Sequence, residues 1–189
     1  ASVRRREAHS RPSPPFITST LQQEASRKLR FTARRTMQVA QQLYEGLPIG
    51  DEGSEGLITY MRTDSTNVAA SALSEANAYI KQKFGPEYAP KSPRVYTKKK
   101  VRGAQEAHPA ISPTSIGREP ESIRQYLNLE QFRLYDLIWK RMLACQMTDA
   151  LFDSTTLDIN AANTNSGEQY VFRAKGSILK FRGSRVLYM

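Results

Sequence analysis

The spacing of apolar residues changes near Met147, and this change restricts the possible folds more than any other feature of the chain. Before it, apolar residues recur every three to four positions, which is the period of helices that each bury one face. After it, Thr155, Leu157 and Ile159 alternate with Thr156 and Asp158, which is the two-residue period of a β-strand. The pattern predicts an α+β, mainly helical protein, in which a helical domain is inserted between terminal β-strand segments.

The β-type pattern occurs at both ends of the chain. Residues 1–15, rich in arginine and proline, predict a short strand end that runs into a linker. Two further strands are predicted at 170–176 and 177–183, after a polar turn. The β-type pattern therefore flanks the helical segments at both ends of the chain.

Capping residues and apolar spacing locate the first long helix. Thr32 is a predicted N-cap, and the helix that follows carries an apolar face formed by Ala33, Met37, Ala40 and Tyr44. We expect Met37 and Tyr44 to pack in the core.

Two later helices follow from similar signals. One begins at Ser65 or Asn67 and ends near residue 84, before a Gly-Pro pair. Asn128 caps the other, in which Trp139 is expected to anchor the core.

Charge and composition limit the class of protein. The chain has 189 residues, with 28 Lys and Arg against 18 Asp and Glu, so its net charge is +10. A hydrophobic fraction of 39% excludes a wholly disordered chain. No apolar run approaches the ~18 residues that a membrane span needs. Cys145 is the single cysteine, which excludes an internal disulfide and a cysteine-rich zinc site. The composition predicts a soluble protein of a reducing compartment with an acidic partner, most simply nucleic acid.

Tyr60, Arg62 and Asp64 form the first candidate site. In an extended segment these side chains project to the same side. A phenol can attack a phosphate while a guanidinium holds the phosphate oxygens, and Asp64 can orient Arg62. The alternative is structural: Tyr60 packs, and Arg62 pairs with Asp64. Spacing alone leaves both open.

His108 is the second candidate, in the segment 105–111. It can donate a hydrogen bond to a phosphate or transfer a proton near neutral pH, although such a histidine can equally be a structural hydrogen-bonding group. No set of residues has the spacing of metal ligands, because Glu106 and His108 are only two positions apart.

The third candidate is a basic run in the irregular segment before His108. It can bind phosphates, while Tyr88 and Tyr96 stack on bases, or it can be a solvated surface loop. The basic residues that we select as candidate DNA-binding residues are Lys98, Lys99, Lys100 and Arg102.

Taken together, several stretches resemble bacterial type IA DNA topoisomerase I, in that family's order. Among them GLITYMRTDSTN, at 56–67, is highly specific. The other matching stretches are PFITSTLQQ at 15–23, TMQVAQQLYE at 36–45, EAHPAI at 106–111, IWKRMLACQMT at 138–148 and FDSTTL at 152–157.

The resemblance implies roles for individual residues. In that family the tyrosine of ITYMRTDS attacks one DNA strand and forms a 5′-phosphotyrosyl link, and here this residue is Tyr60. The other strand passes through the gap, the break reseals, and negative supercoils relax without ATP. Arg62 and His108 match the family's phosphate-contacting arginine and histidine, and Asp64 is a supporting residue.

The resemblance also implies what lies outside this chain. The family's Mg²⁺-binding Toprim domain is not in the sequence, so the metal ligands are expected elsewhere and the fragment alone is expected to be inactive. By this resemblance, residues 18–147 would be the helical domain that carries Tyr60. Residues 1–17, a strand end and linker, and the strands of 148–189 would belong to the β domain that forms the arch of the family's toroid. The expected partners are a single-stranded region of negatively supercoiled DNA and the remaining domains of the enzyme, with no membrane. The expected location is the cytoplasm, at the nucleoid.

Four finer expectations follow. Ser112 stands where the family commonly has arginine, so a DNA contact there is lost or moved. The segment 47–55 matches the longer form of some bacterial members, without an assigned role. Unpaired β edges favour self-association of the fragment. Tyr60, whose family site lies against the Toprim domain, is expected to be exposed here.

A second hypothesis stays open at this point. The chain can be a non-catalytic single-stranded nucleic-acid-binding module that uses the basic loop and nearby tyrosines without cleaving DNA. Unchanged activity of a full-length Tyr60→Phe variant would favour it.

Overall fold

The computed structural model describes residues 1–50, 53–96, 108–162 and 165–188. A helical body carries a three-stranded antiparallel sheet, which we call the β arm. The helices are α1 (Thr18–Glu24), α2 (Ala33–Glu45), α3 (Ala70–Phe84) and α4 (Leu129–Cys145), and the strands are β1 (Ser2–Ser10), β2 (Leu47–Pro48), β3 (Ser54–Glu55), β4 (Ala150–Ala162) and β5 (Gln169–Phe181). This α+β architecture, with strands at both ends, confirms the predicted fold class.

The β arm has the strand order β1-β4-β5. β1 is longer than the short strand end that the sequence predicts, because every residue from Ser2 to Ser10 pairs with β4. The two strands predicted at 170–183 are one strand, β5, since Gly176 continues the pairing opposite Thr155. One of the three consecutive arginines of β1 is paired across the sheet: Asp158 accepts hydrogen bonds from Arg4 at 2.7 Å and from Arg173 at 2.6 Å.

The α2 helix buries a different face from the predicted one. Thr32 caps it as expected, since its hydroxyl accepts from the Arg35 backbone N–H at 3.1 Å. Met37, however, is only half-buried, and Tyr44 is 40% exposed. A polar residue belongs to the core stripe, because the Thr36 hydroxyl donates to the Thr32 carbonyl at 2.9 Å. The buried residues of α2 are Thr36, Val39, Ala40 and Leu43.

The α4 helix forms the centre of the core. Asn128 and Gln131 make a reciprocal capping box at its start, as the sequence indicates. Trp139 is buried, and its indole N–H donates to the Ile116 carbonyl at 2.9 Å. The prediction of Trp139 as a core anchor is therefore confirmed.

The α3 helix begins at Ala70, later than the predicted Ser65 or Asn67. The preceding segment is extended because its polar groups bond to distant parts of the chain. The Asn67 carbonyl accepts from the Ala110 N–H at 2.7 Å, and the Thr66 hydroxyl donates to the Tyr96 carbonyl at 3.2 Å.

The β arm joins the body at a tight packing point. Arg141 is 8% exposed, donates from Nε to the Pro14 carbonyl at 2.7 Å, and lies against the rings of Phe16 and Tyr188. Gly183 adopts φ +47°, and a Cβ there would lie 2.2 Å from a backbone carbonyl oxygen. Among the described residues, no helix is long and apolar enough to cross a bilayer.

Candidate active site

Tyr60 lies in an extended segment whose preceding residue is fixed to another part of the chain. The Thr59 N–H donates to the Ser112 carbonyl at 2.9 Å, and the Thr59 hydroxyl donates to the Ala110 carbonyl at 2.7 Å. The same hydroxyl accepts from the Ser112 N–H at 3.0 Å. The segment that carries Tyr60 is thereby held against the segment that follows His108.

The other side of Tyr60 is held by α1. The Thr18 hydroxyl can donate to two carbonyl groups, that of Met61 at 2.8 Å and that of Thr63 at 3.0 Å. The same hydroxyl accepts a hydrogen bond from the Thr63 N–H at 2.9 Å. The Thr18 backbone N–H donates to the Thr63 carbonyl at 2.9 Å. The Met61 side chain is buried, so Tyr60 lies between two fixed neighbours.

Two rings contact the Tyr60 ring. The His108 ring centroid is 4.8 Å away, and the Tyr44 ring meets Tyr60 edge-on at 5.4 Å. The Thr63 hydroxyl donates to the His108 carbonyl at 3.1 Å, which ties the histidine to the same extended segment. The structure thus brings Tyr60 and His108 together, although 48 positions separate them in the sequence.

The Tyr60 side chain is half-buried, whereas we expected it to be exposed. The reason is the packing of its ring between Tyr44 and His108. Within the described residues, no hydrogen bond engages the Tyr60 hydroxyl. The Tyr60 ring is therefore packed on two sides, by Tyr44 and by His108.

Arg62 and Asp64 are both exposed. They form no ion pair with each other or with any other part of the described chain. The structural alternative, in which Arg62 pairs with Asp64, is therefore not what the structure contains.

Other tyrosines of the body have engaged hydroxyls. The Tyr135 hydroxyl donates to the Arg118 carbonyl at 2.8 Å, and that of Tyr96 donates to the Cys145 carbonyl at 2.7 Å. Burial raises the pKa of both phenols, which keeps them protonated. Neither has the arrangement of a nucleophile.

The remaining candidates from the sequence are not part of the arrangement around Tyr60 that the structure describes. Lys98, Lys99, Lys100 and Arg102 lie outside the described residues. Ser112 is 5% exposed, and its backbone bonds to Thr59, so its side chain offers little surface to a ligand. The described residues contain no group of three or more histidine, cysteine or acidic side chains suited to a metal ion.

Sequence reasoning missed three residues that shape the site: Thr18, Thr59 and Tyr44. The two threonines act through hydrogen bonds that span 45 and 53 positions. No local pattern marks such partners. Tyr44 was assigned to the core because it recurs at helical spacing.

The chain as a whole is similar to several known proteins. A protein-family model described as DNA topoisomerase matches residues 1–189. DNA topoisomerase 1 of Xylella fastidiosa strain Temecula1 is 51% identical over 186 residues, and that of Rickettsia bellii is 46% identical over 186; each alignment covers 98% of this chain and 22% of the relative. The chain therefore spans about a fifth of the length of these relatives.

A solved structure is also similar. Full-length topoisomerase I from Thermotoga maritima matches with a TM-score of 0.82 and 38% identity, over 99% of this chain and 29% of that one.

Proposed function

Because this chain belongs to the DNA topoisomerase family, we propose that it carries the nucleophile of a type IA DNA topoisomerase and that Tyr60 is this residue. One observation supports the assignment above all: the Tyr60 ring packs between Tyr44 and His108, and no hydrogen bond from the described residues engages its hydroxyl. Arg62, two residues away, has no ionic partner among the described residues.

In the proposed reaction, the Tyr60 oxygen attacks the phosphorus of one DNA strand. The phenol loses its proton, the P–O3′ bond breaks, and the 3′ oxygen leaves as a hydroxyl after gaining a proton. The product is a 5′-phosphotyrosyl link, and attack by the 3′-hydroxyl reverses the step. Each step exchanges one phosphodiester for another, so relaxation of negative supercoils needs no ATP.

Arg62 and His108 have complementary roles in this proposal. The phosphoryl oxygens gain negative charge during the attack, and preorganised cationic or N–H donors stabilise that charge. Arg62 provides a permanent guanidinium, which suits bidentate phosphate binding. His108 donates from its ring. Asp64, exposed two residues beyond Arg62, supports the orientation of the guanidinium when DNA is bound.

Attack requires that the phenol lose its proton, and a group that accepts or delocalises this proton lowers the barrier. We propose that other domains of the enzyme supply this group and also hold the Mg²⁺ that the family resemblance implies. No metal-ligand cluster occurs in the part of the chain that the structure describes, and no step above is assigned to a metal. This chain alone is then expected to leave DNA uncut.

Covalent trapping tests the proposal. The chain is mixed with the remainder of the enzyme and a labelled single-stranded oligonucleotide, and DNA–protein adducts are separated by denaturing electrophoresis. We expect an adduct with the wild-type chain and none with Tyr60→Phe. Tyr126→Phe, a change of the same type at an exposed tyrosine outside the site, should still form the adduct.

Two outcomes would contradict the proposal. An adduct that persists in Tyr60→Phe would place the nucleophile at another residue. Full DNA relaxation by a full-length Tyr60→Phe variant would instead favour a non-catalytic nucleic-acid-binding module.

A further inference from the structure

A groove of about 510 Å³ lies along the exposed face of α2, with Arg62 also among its lining residues. We call it the α2 groove. Besides Arg35, it is lined by Arg34, Met37, Gln38, Gln41, Gln42 and Arg62, so no carboxylate is among its lining residues. Met37, which the apolar spacing assigned to the core, belongs to this surface.

The lining carries two cations without an ionic partner in the described chain. Arg35 is neutralised, because its Nε donates to Glu130 at 2.9 Å and its terminal nitrogen also contacts that carboxylate. Arg34 and Arg62 form no such pair with the described residues. Unpaired guanidiniums in one groove favour a ligand with more than one negative charge.

The groove leads toward the proposed nucleophile. On a helix, positions 34, 38, 41 and 44 lie along one stripe, and ten residues span about 15 Å. Tyr44, at the far end of this stripe, contacts Tyr60. A strand bound along the stripe would therefore arrive at the site where Tyr60 and Arg62 are placed.

The neutral side chains of the groove suit nucleotide bases. The Gln42 side-chain oxygen accepts from Gln131 at 3.0 Å, which leaves the Gln42 amide N–H groups as donors. The Gln41 amide donates to Glu45, which leaves its oxygen as an acceptor. The Tyr44 ring is 40% exposed and can stack on a base.

We propose that the α2 groove binds the single-stranded DNA that flanks the phosphate attacked by Tyr60, with Arg34 contacting a phosphate of that strand. This inference rests on the proposed function. A single strand is favoured over a duplex because an exposed ring stacks on a base face and glutamine amides can bond to a Watson–Crick edge, and a duplex conceals both of these by stacking and pairing.

A salt series measures the contact. Binding of this chain to a fluorescent single-stranded oligonucleotide is recorded at several salt concentrations, and the slope of log K against log salt is determined. One lost phosphate contact lowers the slope by about 0.7 for a single strand, which corresponds to about fivefold weaker binding at 0.1 M salt. We expect this change in Arg34→Ala, whereas Arg34→Lys should keep the wild-type slope.

Arg5→Ala is the matched control, because it removes the same charge from β1 of the β arm, outside the groove. Its slope should equal that of the wild type. The proposal is overturned if the chain shows no binding at low salt, if Arg34→Ala has the wild-type slope, or if Arg5→Ala changes the slope as much as Arg34→Ala.

The two proposals fail separately. If Tyr60 forms the adduct but Arg34→Ala leaves the salt slope unchanged, the α2-groove proposal is rejected and the assignment of Tyr60 as the nucleophile is retained. If Arg34→Ala reduces the salt slope but the adduct persists in Tyr60→Phe, the α2-groove proposal is retained and the assignment of Tyr60 as the nucleophile is rejected.

Discussion

Removal of the Thr18 hydroxyl should loosen the segment that carries Tyr60. Thr18→Val keeps the shape of the side chain but loses the bonds to Met61 and Thr63. A typical hydrogen bond contributes about 0.5–1.5 kcal/mol, and a donor left without a partner costs about 1–3 kcal/mol when buried. Thr63 is half-buried, so water compensates part of its loss. We expect a decrease of about 2 kcal/mol in the free energy of unfolding.

Urea unfolding followed by Trp139 fluorescence measures this decrease, because Trp139 is the only tryptophan and lies in the helical core. For a chain of this length, 2 kcal/mol corresponds to a fall in Tm of about 4–8 °C. Amide exchange should also accelerate at Thr63, whose N–H loses its acceptor.

Thr114→Val provides the control for Thr18→Val. Its hydroxyl makes one exposed hydrogen bond, to the Gly56 carbonyl at 2.7 Å, so its loss should cost less than about 1 kcal/mol. The reasoning is refuted if Thr18→Val is no less stable than Thr114→Val and the Thr63 amide stays protected.

Three further predictions concern the rest of the fold. Gly183→Ala should lower the free energy of unfolding by at least about 2 kcal/mol, because the new Cβ meets a backbone oxygen at positive φ. Thermal unfolding should show no comparable decrease in Gly176→Ala, because a Cβ there meets nothing within 4 Å. The Arg173 guanidinium holds the pKa of Asp158 below its usual value, so the ionised Asp158 stabilises the folded chain. This contribution to the free energy of unfolding is complete above the unfolded pKa of about 3.9 and is lost as pH falls through the lower folded pKa. Urea midpoints should therefore fall less between pH 6 and pH 3 in Asp158→Asn than in the wild type. Burial raises the pKa of the Cys145 thiol to about 12, so a thiol reagent should modify the native chain far more slowly than the urea-unfolded chain; equal rates would contradict the burial.

Local signals in the sequence predicted the helices well. The caps at Thr32 and Asn128 depend on residues only three positions away, and both are present. The strand alternation after residue 150 was equally informative, because a strand with this period needs no distant partner to be recognised. Such features follow from the chain's own geometry.

Features set by distant contacts were predicted poorly. Tyr44 leaves the predicted core face of α2 because it packs against Tyr60, which is 16 positions away in the sequence. The start of α3 is delayed because Asn67 bonds to a residue 43 positions away. The position of Tyr44 and the start of α3 therefore depend on residues that are far away in the sequence.

The candidate site divides in the same way. Residue chemistry and a specific motif indicated Tyr60, Arg62 and His108. The residues that hold them in place, Thr18 and Thr59, are ordinary threonines in the sequence, and only the folded chain shows what they bind.

Peptide mapping of the trapped adduct tests the central claim most directly. The full-length enzyme that contains this chain is reacted with single-stranded DNA, denatured, digested with protease and nuclease, and analysed by mass spectrometry. The account predicts a nucleotide attached to Tyr60, in the peptide that includes Leu57–Arg62. A nucleotide on any other residue would contradict it.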